Sequence, residues 1–360
     1  MSYEQLIKIK DYVDTYLSSL TCEAEMKMSA LLKGYNRESQ QIDYRFGMAD
    51  KVYNYAKSHG KAMRGHTLVW HNHELKEALD SYIEQKLGCS MSEYEKNNPK
   101  DFKKKRRQFT LEFLGEYMKN VGEHYPGCYC WDVLNEIVPD MHNNTPTEHE
   151  REIGLRNSMW NEYIGKDEEG NDFYIEVLKL ARKNLPEGTQ LFYNEYGEQH
   201  PEKRKAIIEV INKIKAYEQK YGVTLLDGIG LQSHYDLTMD EMQLDEVYRD
   251  FSSTGKKIQV TEVDILPGKN KDGEPLAPDK EKYEVLWKKI FELANKYKIE
   301  AFTGWGISDK LSWFRNCGCT MVDKDGNIKE FAQEFLRANM KAEDHNEQKV
   351  KASEYLYVPI

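Results

Sequence analysis

The sequence predicts a single (β/α)8 TIM barrel, and three observations carry that prediction. Short β-rich runs alternate with longer stretches of helical period, the pattern of a parallel sheet covered by helices. Several runs are apolar on both parities, as in Gly65-His66-Thr67-Leu68-Val69-Trp70, which suits strands buried on both faces. Polar and ionisable residues gather where each run ends, as on the active face of such a barrel. An open doubly wound sheet would concentrate its chemistry at one switch point, and no G-x-G-x-x-G follows any strand.

In chain order the strand runs fall at 20–25, 62–70, 129–135, 190–194, 228–232, 257–262 and 301–305. Amphipathic helical stretches such as 173–184, 203–221 and 282–298 lie between them. The strand ends carry Glu23 to Lys27, then His71, Asn135-Glu136, Asn194-Glu195-Tyr196, Gln232 and His234, Glu262 and Asp264, and Trp305. These are seven strands, and a closed barrel of this kind needs eight. Residues 1–340 read as the barrel and 341–360 as a C-terminal tail.

Composition narrows the function classes. With 51 Lys+Arg against 61 Asp+Glu, the 360-residue chain carries a formal charge of −10 and no basic stripe, which argues against a nucleic-acid partner. The one basic run, Lys103 to Arg107, reads as a solvated helix face. No apolar stretch approaches the ~18–20 residues needed to span a bilayer, so no membrane association is expected. The N-terminus lacks an apolar signal core, which predicts a cytoplasmic protein, or a secreted one whose signal has been removed. Six cysteines are too few for a disulfide scaffold. The Cys128/Cys130 and Cys317/Cys319 pairs are spaced more tightly than the usual C-x₂₋₄-C of a zinc site, so reduced thiols and no metal or cofactor are expected.

Two carboxylates stand out. The apolar run Trp131-Asp132-Val133-Leu134 ends in Asn135-Glu136, and Ile258-Gln259-Val260 ends in Thr261-Glu262. As the fourth and seventh strands of a barrel, their ends would face each other across its mouth. Opposed carboxylates suit glycoside hydrolysis, in which one protonates the leaving oxygen while the other attacks the anomeric carbon or activates water.

These runs, together with Thr21 to Lys27, Arg64 to His71, Leu191 to Tyr196, Gly228 to His234, Thr261 to Ile265, Trp305-Gly306 and Trp313, give the chain a resemblance to the family 10 glycoside hydrolases, the endo-β-1,4-xylanases. The resemblance covers about residues 8–335 in the family's order. It implies a retaining double displacement on xylan or xylo-oligosaccharides, with Glu136 as acid/base, Glu262 as nucleophile and the two carboxyls about 5–5.5 Å apart. It also implies that His234 and Asp264 orient the nucleophile and that Asn135 holds the 2-hydroxyl of the reacting sugar. Gln232 and Tyr196 become polar neighbours of the site, and Glu23, Lys27 and His71 binders of sugar hydroxyls on the non-reducing side. Trp305 and Trp313 shape the cleft.

The sequence departs from the family pattern in four places. Ala24 replaces an Asn, at a cost of about 1 kcal/mol to one sugar contact. The third strand is followed by His71-Asn72-His73-Glu74-Leu75-Lys76, with no Gln-Pro-Trp, so the wall around the reacting sugar must be built differently or be more open. The connection 76–107 is long and charged, which fits a lid or an extra helical pair. The family's first strand has no counterpart. Truncation, an open barrel, or occupation of that slot by the β-rich ending 355–360, in its own subunit or swapped within a homodimer, would each account for this. A β-1,4-glucan- or mannan-acting relative and an inactive sugar-binding barrel remain open alternatives. If the tail fills the slot, deleting residues 350–360 lowers the melting temperature; an unchanged melting curve would count against it.

Overall fold

The structure, a computed structural model, describes residues 3–141, 146–269, 279–306, 308–314, 318–333 and 335. Short helices over Tyr3–Lys8 and Lys10–Tyr16 lead into β1 (Ser19–Thr21). A hairpin follows, β2 (Leu32–Asn36) and β3 (Gln41–Tyr44), and then the sheet strand β4 (Ala62–Trp70). The next strands are β5 (Cys128–Asn135), β6 (Gln190–Glu195), β7 (Gly228–Leu231), a short β8 (His234–Asp236), β9 (Lys257–Leu266) and β10 (Ala301–Gly304). Helices such as Gly47–Ser58, Pro99–His124, Phe173–Asn184, Pro201–Tyr221, Glu241–Ser252 and Lys280–Lys296 connect them.

The main sheet runs β1-β4-β5-β6-β7-β9-β10 with every pairing parallel, and β8 extends the edge of β9. This is the (β/α)8-barrel class expected from the sequence, with seven strands along the curled sheet. Among the described residues no strand precedes β1, and the expected tail strand at 355–360 lies outside them. No described helix is long and apolar enough to cross a membrane.

Several elements differ from their sequence reading. The run expected at 20–25 stops pairing at Thr21, because residues 22–27 turn over the mouth of the sheet. The β2–β3 hairpin was not expected; Asn36 Oδ1 closes its turn by accepting from the N–H groups of Glu38 and Ser39, with Gln40 at φ 56°. The connection 76–107 forms helices Lys76–Leu87 and Met91–Asn97 and the start of Pro99–His124, an extra helical pair and not a lid. In the basic run, Arg106 and Arg107 pair with Glu162 and Glu176, while Lys103 and Lys104 are solvent-exposed. Cys22, Cys89, Cys128 and Cys130 are free thiols, but Cys319 is disulfide-bonded, which corrects the expectation of reduced thiols throughout.

The barrel interior combines apolar packing with a buried ion network. Arg64 on β4 makes a bidentate pair with Asp132 on β5, and its Nε donates to Gln259 Oε1 on β9 at 3.1 Å. His66 Nδ1 lies 2.8 Å from Asp132 Oδ2, so one carboxylate ties the Arg64 and His66 side chains into the floor of the barrel. Between Arg64 and His66, Gly65 gives its space to the fully buried Trp131, whose Cδ2 would stand 2.1 Å from an added Cβ. Gly65→Ala should destabilise the fold by about 3 kcal/mol in denaturant unfolding, whereas Gly47→Ala, in open space at a helix start, should change it by less than about 1 kcal/mol.

Candidate active site

Glu136 follows the end of β5 and Glu262 lies within the longer β9, with β6 and β7 between their carriers, so the curl of the sheet turns both toward one mouth. Glu136 follows β5 in the left-handed region, at φ 56°. That conformation costs a non-glycine residue about 1 kcal/mol and persists only where the surroundings hold it. Here the Glu136 N–H donates to the Asn194 carbonyl at 3.0 Å, and Arg156 Nε donates to the Glu136 carbonyl at 3.1 Å. At the carboxyl, Trp70 Nε1 donates to Oε2 at 2.7 Å and Gln232 Nε2 to Oε1 at 3.0 Å. Burial lifts the Glu136 carboxyl above its ordinary range, and the nearby charges of Glu195 and Glu262 push the same way, outweighing the two donors.

Glu262 sits in the middle of β9, where Asn194 Nδ2 donates to Oε1 at 2.8 Å and His234 Nε2 lies 3.4 Å from Oε2. Burial alone would raise its pKa. The His234 hydrogen bond, the positive fields of His66 and His234 and the Asn194 donor outweigh burial and hold the carboxyl down at about 2. His234 is in turn gripped by Asp264, Nδ1 to Oδ1 at 2.9 Å. Burial disfavours its cation, but the two carboxylates overcome that and raise its pKa well above the ordinary value. A left-handed Ser233, at φ 58°, turns the chain out of β7 so that β8 pairs with β9 in the register His234↔Asp264. Trp313 Nε1 completes the group by donating to Asp264 Oδ2 at 2.6 Å.

The remaining expected residues distribute as follows. Asn135 accepts from Asn194 Nδ2 at 2.9 Å and keeps a buried Nδ2 with no partner, a donor available to a sugar hydroxyl. Lys27 is buried with its ammonium 4.7 Å from the centre of the Trp70 ring, and Glu23 lies close enough to contribute to its field. Burial outweighs the carboxylates around Lys27 and lowers its pKa. His71 Nδ1 stands 3.9 Å from Glu136 Oε2, and burial holds this imidazole neutral, with a pKa of about 4. Trp305 meets His66 edge-on at 5.7 Å, and Trp313 is half exposed at the rim. The Tyr196 hydroxyl donates to Asp140 and accepts from Arg156, and its ring carries Lys203 at 3.4 Å.

Sequence reasoning gave no role to Trp70, Asn194, Arg156 or Asp132, although all but Arg156 lie inside the quoted motifs. Asn194 is central. One of its amide hydrogens reaches Asn135 and the other Glu262, while Thr261 Oγ1 donates to its Oδ1 at 2.6 Å and fixes the orientation of the amide. A polar residue within an apolar strand was the available signal.

A curled parallel barrel whose mouth holds two facing carboxyls, one pushed toward its acid form and one held ionised, defines a barrel glycoside hydrolase. The chain belongs to glycosyl hydrolase family 10, whose family model matches residues 1–338. It is 33% identical over 330 residues to endo-1,4-beta-xylanase A of Thermotoga maritima, covering 89% of this chain but only 27% of that protein. It is 29% identical over 351 residues to the beta-1,4-xylanase of Dictyoglomus thermophilum, covering 93% and 84% of the two chains. A solved mutant structure in complex with xylotriose aligns with a TM-score of 0.71 at 24% identity, covering 93% and 94%, and shares the fold.

Because the folded pKa of Glu262, about 2, lies below its unfolded value, its ionisation contributes stability above the unfolded pKa that is lost as pH falls through the folded one. Between about pH 5 and pH 2 the unfolding free energy of the wild type should therefore fall more steeply than that of Glu262→Gln, measured by denaturant titration.

Proposed function

We propose that this protein is a retaining endo-β-1,4-xylanase. The observation that carries the reading is the contrast between the surroundings of two glutamates at one mouth: Glu136 is held by a neutral indole and a neutral amide, and Glu262 by His234 and Asn194. In the first step the Glu262 carboxylate attacks the anomeric carbon while Glu136 gives its proton to the departing glycosidic oxygen. The glycosyl ester on Glu262 is then cleaved by water, whose proton passes to Glu136 as the water oxygen bonds the anomeric carbon. The ionised Glu262 requires the His234 cation, and His234 requires Asp264, so both act as positioning residues for the nucleophile.

The substrate assignment is supported by relatives whose names specify β-1,4-xylan hydrolysis, and by a site built of hydroxyl-pairing groups. Lys27, His71 and the free Nδ2 of Asn135 surround the reacting pair as hydroxyl partners. Trp313 offers a half-exposed indole, and flat aromatic faces suit sugar rings.

Glu262→Ala should abolish turnover on every substrate. Glu136→Ala should cost about 10²- to 10⁴-fold on xylo-oligosaccharides yet spare the first step on aryl xylobiosides, whose leaving groups need little protonation. Loss of both activities alike in Glu136→Ala would exclude its role as acid.

The pH profile of kcat/KM provides a second check. Activity requires Glu136 protonated, so its alkaline limb follows the raised Glu136 pKa. Gln232 donates to the ionised form and lowers that pKa; Gln232→Leu should therefore move the alkaline limb to higher pH.

A further inference from the structure

His234 holds Glu262 ionised, and the chain that carries His234 leaves β7 through a strained turn. Ser233, the residue before it, is left-handed at φ 58°, a conformation that costs a non-glycine residue about 1 kcal/mol. Two side chains from the loop after β6 grip this turn. Glu198 Oε1 accepts from the Ser233 N–H at 2.9 Å, and Gln199 Nε2 donates to the His234 carbonyl at 3.4 Å. The Ser233–His234 pair is thus held at both of its ends.

The gripping loop is itself anchored. Arg204, in the first turn of the helix Pro201–Tyr221, donates to the carbonyls of Glu198 and Gln199 at 3.2 and 3.3 Å, and its Nε donates to Asp250 at 2.9 Å. Glu198 is fully buried, and burying a carboxyl costs free energy unless it is paired. What this carboxyl engages is the N–H of the left-handed residue. Burial lifts its pKa above the ordinary range, outweighing the Ser233 donor and the His234 charge, and its oxygen can hold an N–H in either protonation state. The imidazole so placed faces Asp264 at 2.9 Å and Glu262 at 3.4 Å, both from β9, within the field of Glu198. Glu262 in turn feels His66 from β4, Lys27 from the turn after β1 and Glu136 from the end of β5.

We infer that Glu198 and Gln199 are positioning residues for the nucleophile: by clamping the Ser233 N–H and the His234 carbonyl they keep the imidazole between Glu262 and Asp264. The inference rests on the xylanase reading above. Removing the Glu198 acceptor leaves a buried N–H unpaired and frees Ser233 to relax, and His234 then loses its place between the two carboxylates. Glu198→Gln keeps an acceptor oxygen for the same N–H.

The test measures pH profiles of kcat/KM on a linear xylo-oligosaccharide for wild type, Glu198→Ala and Glu198→Gln. In Glu198→Ala, kcat should fall roughly tenfold or more with KM within about twofold, and the acidic limb, which follows the ionisation of Glu262, should move up by roughly one pH unit. The conservative Glu198→Gln should keep the wild-type limb and most of kcat. A nitrogen-15 titration of the His234 imidazole, assigned against His234→Gln, reads the same clamp without substrate. Its pKa should drop by roughly one unit or more in Glu198→Ala and stay in place in Glu198→Gln. If Glu198→Ala fails to fold by circular dichroism, Gln199→Ala replaces it and should move both readouts the same way. An unmoved limb, an unmoved imidazole pKa, or equal shifts in Glu198→Gln would overturn the inference, whatever happens to the melting temperature. If wild type cleaves no linear xylo-oligosaccharide, the xylanase reading itself fails, and the imidazole titration alone decides the clamp.

Discussion

Two glutamates share one buried mouth, and the structure depends on keeping them in different protonation states. Burial raises the pKa of each, and in low dielectric two neighbouring carboxylates would compete for a single proton. The His234 imidazolium breaks the symmetry. Its Nε2 faces Glu262 and its Nδ1 faces Asp264, so two anions hold one cation and the cation holds Glu262 ionised. Among the described residues the hydrogen-bond donors to the Glu136 carboxyl are a neutral indole and a neutral amide. The local backbone serves this arrangement: the left-handed turn at Ser233 detaches β8 from β7, and only in the resulting register does His234 sit opposite Asp264.

The floor of the barrel extends the same logic downward. Arg64, Asp132, His66 and Gln259 come from β4, β5 and β9, and their mutual bonds cross the interior where apolar packing alone would leave the strand register free to slip. Breaking a buried ion pair leaves an uncompensated charge, so such a network resists rearrangement even where it adds little net stability. His66 links this floor to the site, since its positive field favours ionised Glu262 and its ring edge meets Trp305. The Glu262 carboxylate is therefore influenced from below as well as from the side.

Much of this was legible in the sequence because barrel chemistry sits at strand ends. The strands carrying Glu136 and Glu262 read as apolar runs that stop at an acid, and the register between elements does not alter that pattern. Residues whose roles depend on side-chain direction were not legible. Trp70 reads as core, yet the curl of β4 brings its indole N–H to Glu136. Asn194 reads as one polar interruption, and its bridging role exists only once β5, β6 and β9 are adjacent. Tyr196 was expected as a polar neighbour of the site, and the Asp140, Arg156 and Lys203 groups that engage its hydroxyl and ring come together only in the folded chain. The β2–β3 hairpin escaped because its strands are short and its pattern is mostly polar.

The loop after β4 shows how the fold accommodates its departure from the family pattern. In place of a Pro-Trp wall, His73 stacks on Trp70 with centroids 5.3 Å apart, at φ 55°, and its carbonyl accepts from the Ser29 N–H at 2.9 Å. The same indole carries Lys27 near its ring, receives Trp160 Nε1 at its backbone carbonyl and donates its own N–H to Glu136. One residue thus fixes the Glu136 carboxyl, shields a buried ammonium and anchors the loop. With Lys27, His73 and Glu136 on its indole and Trp160 on its backbone carbonyl, Trp70 does not need a second indole to keep it in place. Beyond His73 the loop reaches Glu74, whose Oε2 is buried without a protein partner, and burial lifts this carboxyl to a pKa of about 7.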